Sequence, residues 1–387
     1  MLFRSWAQTA DAHWPDVAPV PDHVGVTHLV VTRHALVRQV LTDSATYRPD
    51  NALDAVTPIP VAALRVLAGH RFRLPPTLAN NGGASHPAIR AIVADALHPT
   101  RVAAQRPWLT GLVRERVGRI GAALDAGTAV DLYAELAADL PLLVLARLVE
   151  LPDAPVGAVK EFARAALELF WAPLDAGRQQ ALAAEVGRFH RVLRRFAATG
   201  GGLVGSLRAA GHPPDVLVGA LFFLLVAGQE TTSQFLTLLL HRLTGEPAVL
   251  AGLRDGTVAV ADVVEEGLRL EPPIVTWRRV AAVDTTLGGT AVPAGTSIVL
   301  WLARAGRDPA TVDAPDEFRP GQRGSRRHLA FGAGAHRCVG DQLARMEAAV
   351  VVAETAPLLD RITVVREPWC PDNLTFRMPD AFVVRRR

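Results

Sequence analysis

The sequence predicts a mainly α-helical protein with a small β portion, folded as one large domain over residues 1–387. Three observations carry this. From His86 to Phe196, Leu, Val and Ala recur almost without interruption at the 3–4 spacing of buried helix faces. The β-branched, alternating stretches are short and lie near the two ends of the chain. No linker, repeat or change of composition divides the chain into units.

In chain order, Leu2 to Trp14 carries a loose helical pattern, Thr27 to Arg33 reads as a strand and His34 to Thr42 as a helix. Residues 55–83 are rich in Pro, Gly and Asn. They read as a long loop holding a short helix at Val61 to Ala68, and loops of that length in a compact protein are usually functional. After the helical run, Gly200-Gly201-Gly202 is a flexible break with helices on both sides. Pro213-Pro214 opens a long helix from Asp215 to Leu243, since proline is tolerated in a first helical turn. Val260 to Leu270 is a helix that stops at Pro272-Pro273. Thr285 to Val292, with Gly288-Gly289 at its centre, reads as a hairpin, Thr296 to Leu302 as a strand, and Leu374 to Val384 as an edge strand.

Composition narrows the function. The net charge of +3 and the lack of an aromatic-and-basic stripe argue against nucleic acid. The two cysteines, Cys338 and Cys370, make no disulfide framework. No charged-then-apolar leader opens the chain. The longest apolar run, Val216 to Gly228, is 13 residues, short for a bilayer span. A cytoplasmic, monomeric protein is expected. Lys160 is the only lysine, so nearly all positive charge is arginine.

The chemistry concentrates in Phe331-Gly332-Ala333-Gly334-Ala335-His336-Arg337-Cys338-Val339-Gly340. A lone cysteine is more often an inert buried side chain. This one sits in a glycine-rich loop just before a helical run, where the dipole and free N–H groups favour a thiolate. The glycines let the main chain approach a large flat ligand. Phe331 is placed to cover the sulfur, and His336 to reach an acidic edge of the same ligand. The ten residues resemble the cysteine loop of the cytochrome P450 family, in which a proximal thiolate holds haem.

Further motifs match that family in order and distance, the resemblance covering residues 25–387. Ala227-Gly228-Gln229-Glu230-Thr231 lies in the middle of a very apolar helix. Its bland reading is a Thr231 hydroxyl bonded back to the preceding turn and a Glu230 salt bridge. The resemblance implies instead that Ala227 and Gly228 flank the haem, with Thr231 hydrogen-bonding dioxygen and Glu230 relaying protons through water. Gln229 has no account from the sequence. Glu266 and Arg269 share one helix face at i and i+3; the resemblance makes them a buried pair with a third partner before the cysteine loop. Two alignments give Arg323 or Gln322, and Arg323 is preferred for its bidentate guanidinium. His86 and Arg90, one turn apart, join Arg279 and His336 as partners for two haem propionates. The cofactor-contacting set is thus His86, Arg90, Ala227, Gly228, Arg279, Phe331, Gly332, His336, Cys338 and Gly340, with Cys338 on the iron.

The resemblance implies the cytochrome P450 fold and a b-type haem monooxygenase that inserts one oxygen atom from O2 into a hydrophobic or aromatic substrate, plausibly in specialised metabolism. Oxidative coupling, cyclisation or desaturation is the alternative within the enzymes, and a haem-thiolate sensor the alternative outside them. The Glu230–Thr231 pair argues against the sensor. No flavin or iron–sulfur pattern is present, so electrons come from an acidic ferredoxin or flavodoxin with its reductase, unless peroxide replaces them. Arg319, Arg323, Arg326, Arg327, Arg337 and Arg345 crowd the expected docking face. The substrate walls are expected from the 55–83 loop, Phe162 to Trp171, Phe222, Phe223, Val226, Ile274, Val275, Trp277, and Trp369 to Thr375 with Leu374.

Overall fold

The computed structural model of the chain describes residues 14–151 and 155–387. The helical pattern at Leu2 to Trp14 therefore lies outside them, except for Trp14. Strands β1 (Val17–Pro21) and β2 (Thr27–Val31) lead into α1 (His34–Thr42), β3 (Tyr47–Arg48) and α2 (Val61–Gly69). The helical middle is α3 (His86–Ala96), α4 (Pro99–Ala103), α5 (Arg106–Asp125), α6 (Leu140–Val149), α7 (Val156–Trp171), α8 (Ala176–Thr199) and α9 (Gly202–Ala209). A two-residue strand β4 (Val130–Asp131) and a π-turn at Tyr133–Ala137 interrupt it.

The long helix expected from Asp215 to Leu243 is two helices. They are α10 (Pro214–Ala227) and α11 (Glu230–Thr244), separated by Gly228 and by Gln229 at φ −134°, ψ −40°. Thr231 Oγ1 donates to the Ala227 carbonyl at 2.8 Å, a back-bond of the kind that bends helices. The 31 residues Pro214–Thr244 are long and apolar enough to cross a membrane, but 72% of their most apolar window is buried inside the protein. They form the central helix of the core, over which α6, α7 and the π-turn pack.

After α12 (Pro247–Asp255) and α13 (Val260–Leu270) come β5 (Thr276–Ala281), the hairpin β6 (Thr285–Leu287) and β7 (Thr290–Val292), β8 (Ser297–Trp301) and α14 (Leu302–Ala305). The chain closes with α15 (Asp341–Leu359), β9 (Ile362–Arg366) and β10 (Val383–Arg386). The main sheet has the order β1-β2-β8-β5-β3, with β2 and β8 parallel and the other neighbours antiparallel. β1 carries Pro19 and Pro21, which an edge strand tolerates because it needs few ladder donors; those prolines hid it in the sequence.

The C-terminal strand differs from the expectation. It is confined to Val383–Arg386 and lies between β4 and β9, so it is a central strand. Residues 374–382 run irregularly because they serve the core and the cavity wall, with Asn373 Oδ1 accepting from the Thr375 and Phe376 amides.

Candidate functional site

The loop before α15 is bent by Gly332 and Gly334, at φ +65° and +69°, a region that excludes most side chains. A Cβ on Gly334 would stand 2.6 Å from the Leu41 carbonyl, so the loop lies hard against the end of α1. Gly332 has no protein atom within 4 Å of such a Cβ; it faces an interior cavity. The Cys338 amide donates to the Phe331 carbonyl at 2.8 Å and closes the loop. The Cys338 side chain is accessible, but it opens into that cavity, walled by protein. Burial pushes its thiol up, against the smaller pull of the Gly340 N–H and of Arg90 and Arg337. A bound metal cation would reverse that balance, since a coordinated thiol ionises outright. The Phe331 ring lines the same wall, with the Arg345 guanidinium 4.5 Å from its centroid.

One edge of the cavity gathers arginines and imidazoles. His336, Arg90 and Arg279 line the wall there, while His86, expected beside them, is buried and stacks its ring on His336 at 4.2 Å without lining the cavity itself. His336 bonds the Asn81 carbonyl at 3.0 Å. Burial lowers its pKa to about 4, with His86, Arg279 and Arg90 adding to the effect. Arg279 is 2% exposed, and burial draws its pKa down to about 10. Its Nε and the His86 Nε2 find no hydrogen-bond partner among the described residues. None of the described residues lining the cavity is Asp or Glu. Guanidiniums and imidazoles without a carboxylate fit a ligand that brings its own, as haem does with its propionates.

Across the cavity from Cys338 stands the α10–α11 junction, where Ala227, Gly228 and Thr231 all line the wall. A Cβ on Gly228 would meet the Leu224 carbonyl at 2.7 Å and Leu145 at 3.0 Å, so the need for glycine comes from α6 as well as from the cavity. Glu230 turns away from the cavity and is fully buried. It pairs with Lys160, and Arg164 lies 3.9 Å off. Burial draws the Lys160 ammonium down, and Glu230 holds it up. Gln229 now has an account. Its Oε1 accepts from Lys160 at 2.9 Å while its Nε2 donates to the Leu225 carbonyl and, at 3.3 Å, to Glu230. The back-bonded threonine and the salt-bridged glutamate of the bland reading are both present, and Thr231 lines the cavity as well.

Glu266 and Arg269 are buried and bidentate, Nε to Oε2 at 2.9 Å and Nη2 to Oε1 at 2.8 Å. Arg269 also donates to the carbonyls of Gly306, Pro315 and Glu317, which ties α13 to the irregular segment before the loop. The third partner is Gln322, whose Nε2 reaches Glu266 Oε1 at 2.6 Å, with Ser325 Oγ on Oε2 at 2.7 Å. The choice of Arg323 was wrong: it is exposed and paired with Asp313. An amide suffices because Arg269 already neutralises the carboxylate.

The substrate wall is partly as expected. Phe222, Phe223, Val226, Ile274 and Trp277 line the cavity. Val275 and Leu374 do not; they are buried in the core behind it. Of Phe162 to Trp171, Trp171 alone reaches the cavity, with Phe162 and Phe170 edge-on to Phe222 from behind. Trp369 is 63% exposed, and its place is taken by Phe376. Leu78 and Ala79 come from the 55–83 loop, Leu53 from just before it. Lys160, Arg164 and Phe376 carried no local signal, since each joins the site through contacts distant in sequence.

A cysteine and a threonine lining one apolar cavity, with arginines at its edge, fit a haem-thiolate oxygenase site. The family model described as Cytochrome P450 matches residues 214–355. The chain is 29% identical to the erythromycin C-12 hydroxylase of Saccharopolyspora erythraea, over 89% of this chain and 85% of that protein. It is 32% identical to cytochrome P450 144 of Mycobacterium tuberculosis, over 71% of this chain and 63% of that one. Among solved structures it is similar to cytochrome P450 CREJ in complex with (4-ethylphenyl) dihydrogen phosphate. The TM-score is 0.91 at 25% identity, covering 100% of this chain and 97% of that one. The chain belongs to the cytochrome P450 family and is a bacterial-type haem-thiolate monooxygenase. It uses haem, a small organic substrate and an external redox partner.

Proposed function

We propose that this monooxygenase hydroxylates an uncharged, largely aromatic or aliphatic molecule of specialised metabolism, with Cys338 as the thiolate that would hold the haem iron. Haem, when bound, supplies the activation of dioxygen. The work left to the chain divides among named groups. Arg90, Arg279, His86 and His336 would hold the propionates by charge-assisted hydrogen bonds. Thr231 presents its hydroxyl to the cavity, and Glu230 hands protons toward it once it leaves Lys160; general acid–base help of this kind is worth about 10²–10⁴-fold. Phe222, Phe223, Trp171, Trp277 and Phe376 exclude water and orient an apolar substrate through their faces and edges. The protein works in the cytoplasm as a monomer and receives electrons from an acidic ferredoxin or flavodoxin beside the cysteine loop.

A single observation carries this reading: Cys338, Thr231 and a cationic rim without a carboxylate all face one apolar cavity. The hydroxylases among the relatives support the chemistry, and the erythromycin enzyme supports specialised metabolism. The test is the spectrum of the reduced, carbon monoxide-bound protein. The wild type and Cys370→Ala show the red-shifted band of thiolate ligation, and Cys338→Ala loses it. A normal spectrum in Cys338→Ala overturns the assignment. Titrating the ferric protein with uncharged and carboxylate-bearing analogues then reads the substrate class from the spin shift, which the uncharged set should produce.

A further inference from the structure

Helix α11 lies in the apolar core, yet one face of it is polar throughout. Glu230, Ser233, Gln234, Thr237 and His241 fall at i, i+3, i+4, i+7 and i+11, the positions that share one side of a helix. The remaining positions from Phe235 to Leu243 are mostly Phe and Leu. Glu230, Ser233, Gln234 and Thr237 are 0% exposed, and His241, at the C-terminal end, is half-buried. A polar stripe on a buried face is costly unless its groups are hydrogen-bonded. Thr237 Oγ1 donates to the Ser233 carbonyl at 2.9 Å. Glu230 Oε2, Ser233 Oγ and both amide atoms of Gln234 find no hydrogen-bond partner among the described residues. Buried polar atoms in native proteins that lack a protein partner are characteristically satisfied by ordered water.

We propose that this face of α11 carries a file of ordered water leading from the surface at His241, past Thr237, Gln234 and Ser233, to Glu230, and that it supplies the protons Glu230 delivers. The proposal rests on the reading of Glu230 as a proton donor. Side chains one turn apart on a helix stand about 5–6 Å from each other. Two hydrogen bonds of about 2.8 Å through one water span that gap. The file is about 16 Å long at 1.5 Å per residue. Gln234 donates and accepts at once, as a relay position requires.

The surroundings fit. The elements packed on α11 are chiefly α15, the π-turn at Tyr133–Ala137, α6 and α10, then α12, α13, α7 and β9, and α15 carries Glu347, fully buried with neither carboxylate oxygen hydrogen-bonded among the described residues. At the inner end the charges are Lys160 and Arg164 of α7, with Asp139 acting on Lys160 and the Tyr133 phenol acting with Glu230. At the outer end His241 stands among Glu271, Glu367, Arg242 and Arg377, with the Phe382 ring edge-on at 5.5 Å. Burial holds His241 below its usual value. A neutral imidazole with acidic neighbours can take a proton from solvent and pass it inward.

The test uses the haem-loaded protein and two readouts. A crystal structure of the holoprotein should show ordered water bridging Gln234 to Glu230 and to the Thr237–His241 gap. In turnover, Gln234→Leu and His241→Leu should each lower product per electron several-fold and enlarge the solvent isotope effect, and Gln234→Glu should restore both. Thr237→Val serves if Gln234→Leu folds poorly, with the same effects expected. A dry stripe overturns the proposal. So does wild-type coupling in these variants alongside a defective Glu230→Gln, which would leave the polar cleft beside Arg164 as the entry. Wild-type coupling in Glu230→Gln would overturn the reading of Glu230 itself, and the file's role with it.

Discussion

Thr231 hydrogen-bonds the Ala227 carbonyl at the end of α10 and still borders the cavity, so it braces the helix junction at the cavity wall. Thr231→Ala keeps haem and substrate binding, because the Ala227 carbonyl stays near the helix ladder. It should divert most reducing equivalents into hydrogen peroxide, with product falling about 10²-fold or more. Assaying peroxide and product together checks this; wild-type coupling would mean that the hydroxyl comes from elsewhere, such as the substrate. Thr231, Glu230 and Cys338 stand out in the sequence because each sits in a compact local pattern. Gln229 was not, since its amide is explained by Lys160, 69 residues away. A residue whose role is set by a distant partner leaves no mark on its neighbours in sequence.

At the scale of elements, α13 is the anchor of the cysteine loop, and two adjacent glutamates divide the task. Glu266 holds Arg269, Gln322 and Ser325, while Glu265 holds His328 and Arg345. Glu266→Ala leaves the Arg269 charge buried without its partner, a loss of about 3–5 kcal/mol. Arg323→Ala, by contrast, removes one exposed, solvent-screened pair and should leave stability nearly unchanged. Denaturant unfolding of the two variants checks the order, and equal losses would restore Arg323 to the network. Burial alone would raise Glu265, but hydrogen bonds from His328 and Arg345 outweigh it and bring its pKa to about 2. A depressed carboxylate stabilises the fold above its unfolded value near 4.5 and loses that contribution as pH falls toward 2. The loss is on the order of 3 kcal/mol. Burial keeps His328 below its usual value, so it acts in the same direction. Unfolding midpoints at pH 7, 5 and 3.5 should therefore fall with acid, and Glu265→Gln should flatten the lower part of that decline. Helix limits such as Val260–Leu270 were readable from apolar spacing and the following prolines. The break at Gly228–Gln229 was not, because the apolar period runs straight through it.

Across the whole molecule, the order of elements was legible, since long apolar periods and proline stops are local signals. Strand neighbours and surface charge were not, because both depend on which distant segments meet. The arginines around the cysteine loop show this. Arg319 meets Glu317, Arg323 meets Asp313, Arg326 meets Asp262, and Arg337 and Arg345 share Asp341. Glu265 also holds Arg345. Among the described residues Arg327 is the one of the six without a carboxylate partner. The face is therefore less positive than its arginine content implies, and paired guanidiniums are already partly neutralised before a redox partner arrives. Complementary charge still raises association rates more than affinity, and its effect is screened with a Debye length of about 8–10 Å at ordinary ionic strength. The first electron transfer from an acidic ferredoxin should thus slow as salt rises, by a modest factor. Arg327→Glu should slow it several-fold at low salt, whereas Arg323→Glu, which sets a second carboxylate beside Asp313, should act less specifically and also cost stability. Stopped-flow reduction across a salt series separates these outcomes. A flat profile, or an Arg327→Glu rate equal to that of the wild type, would move the docking site away from the loop or favour peroxide as the oxidant.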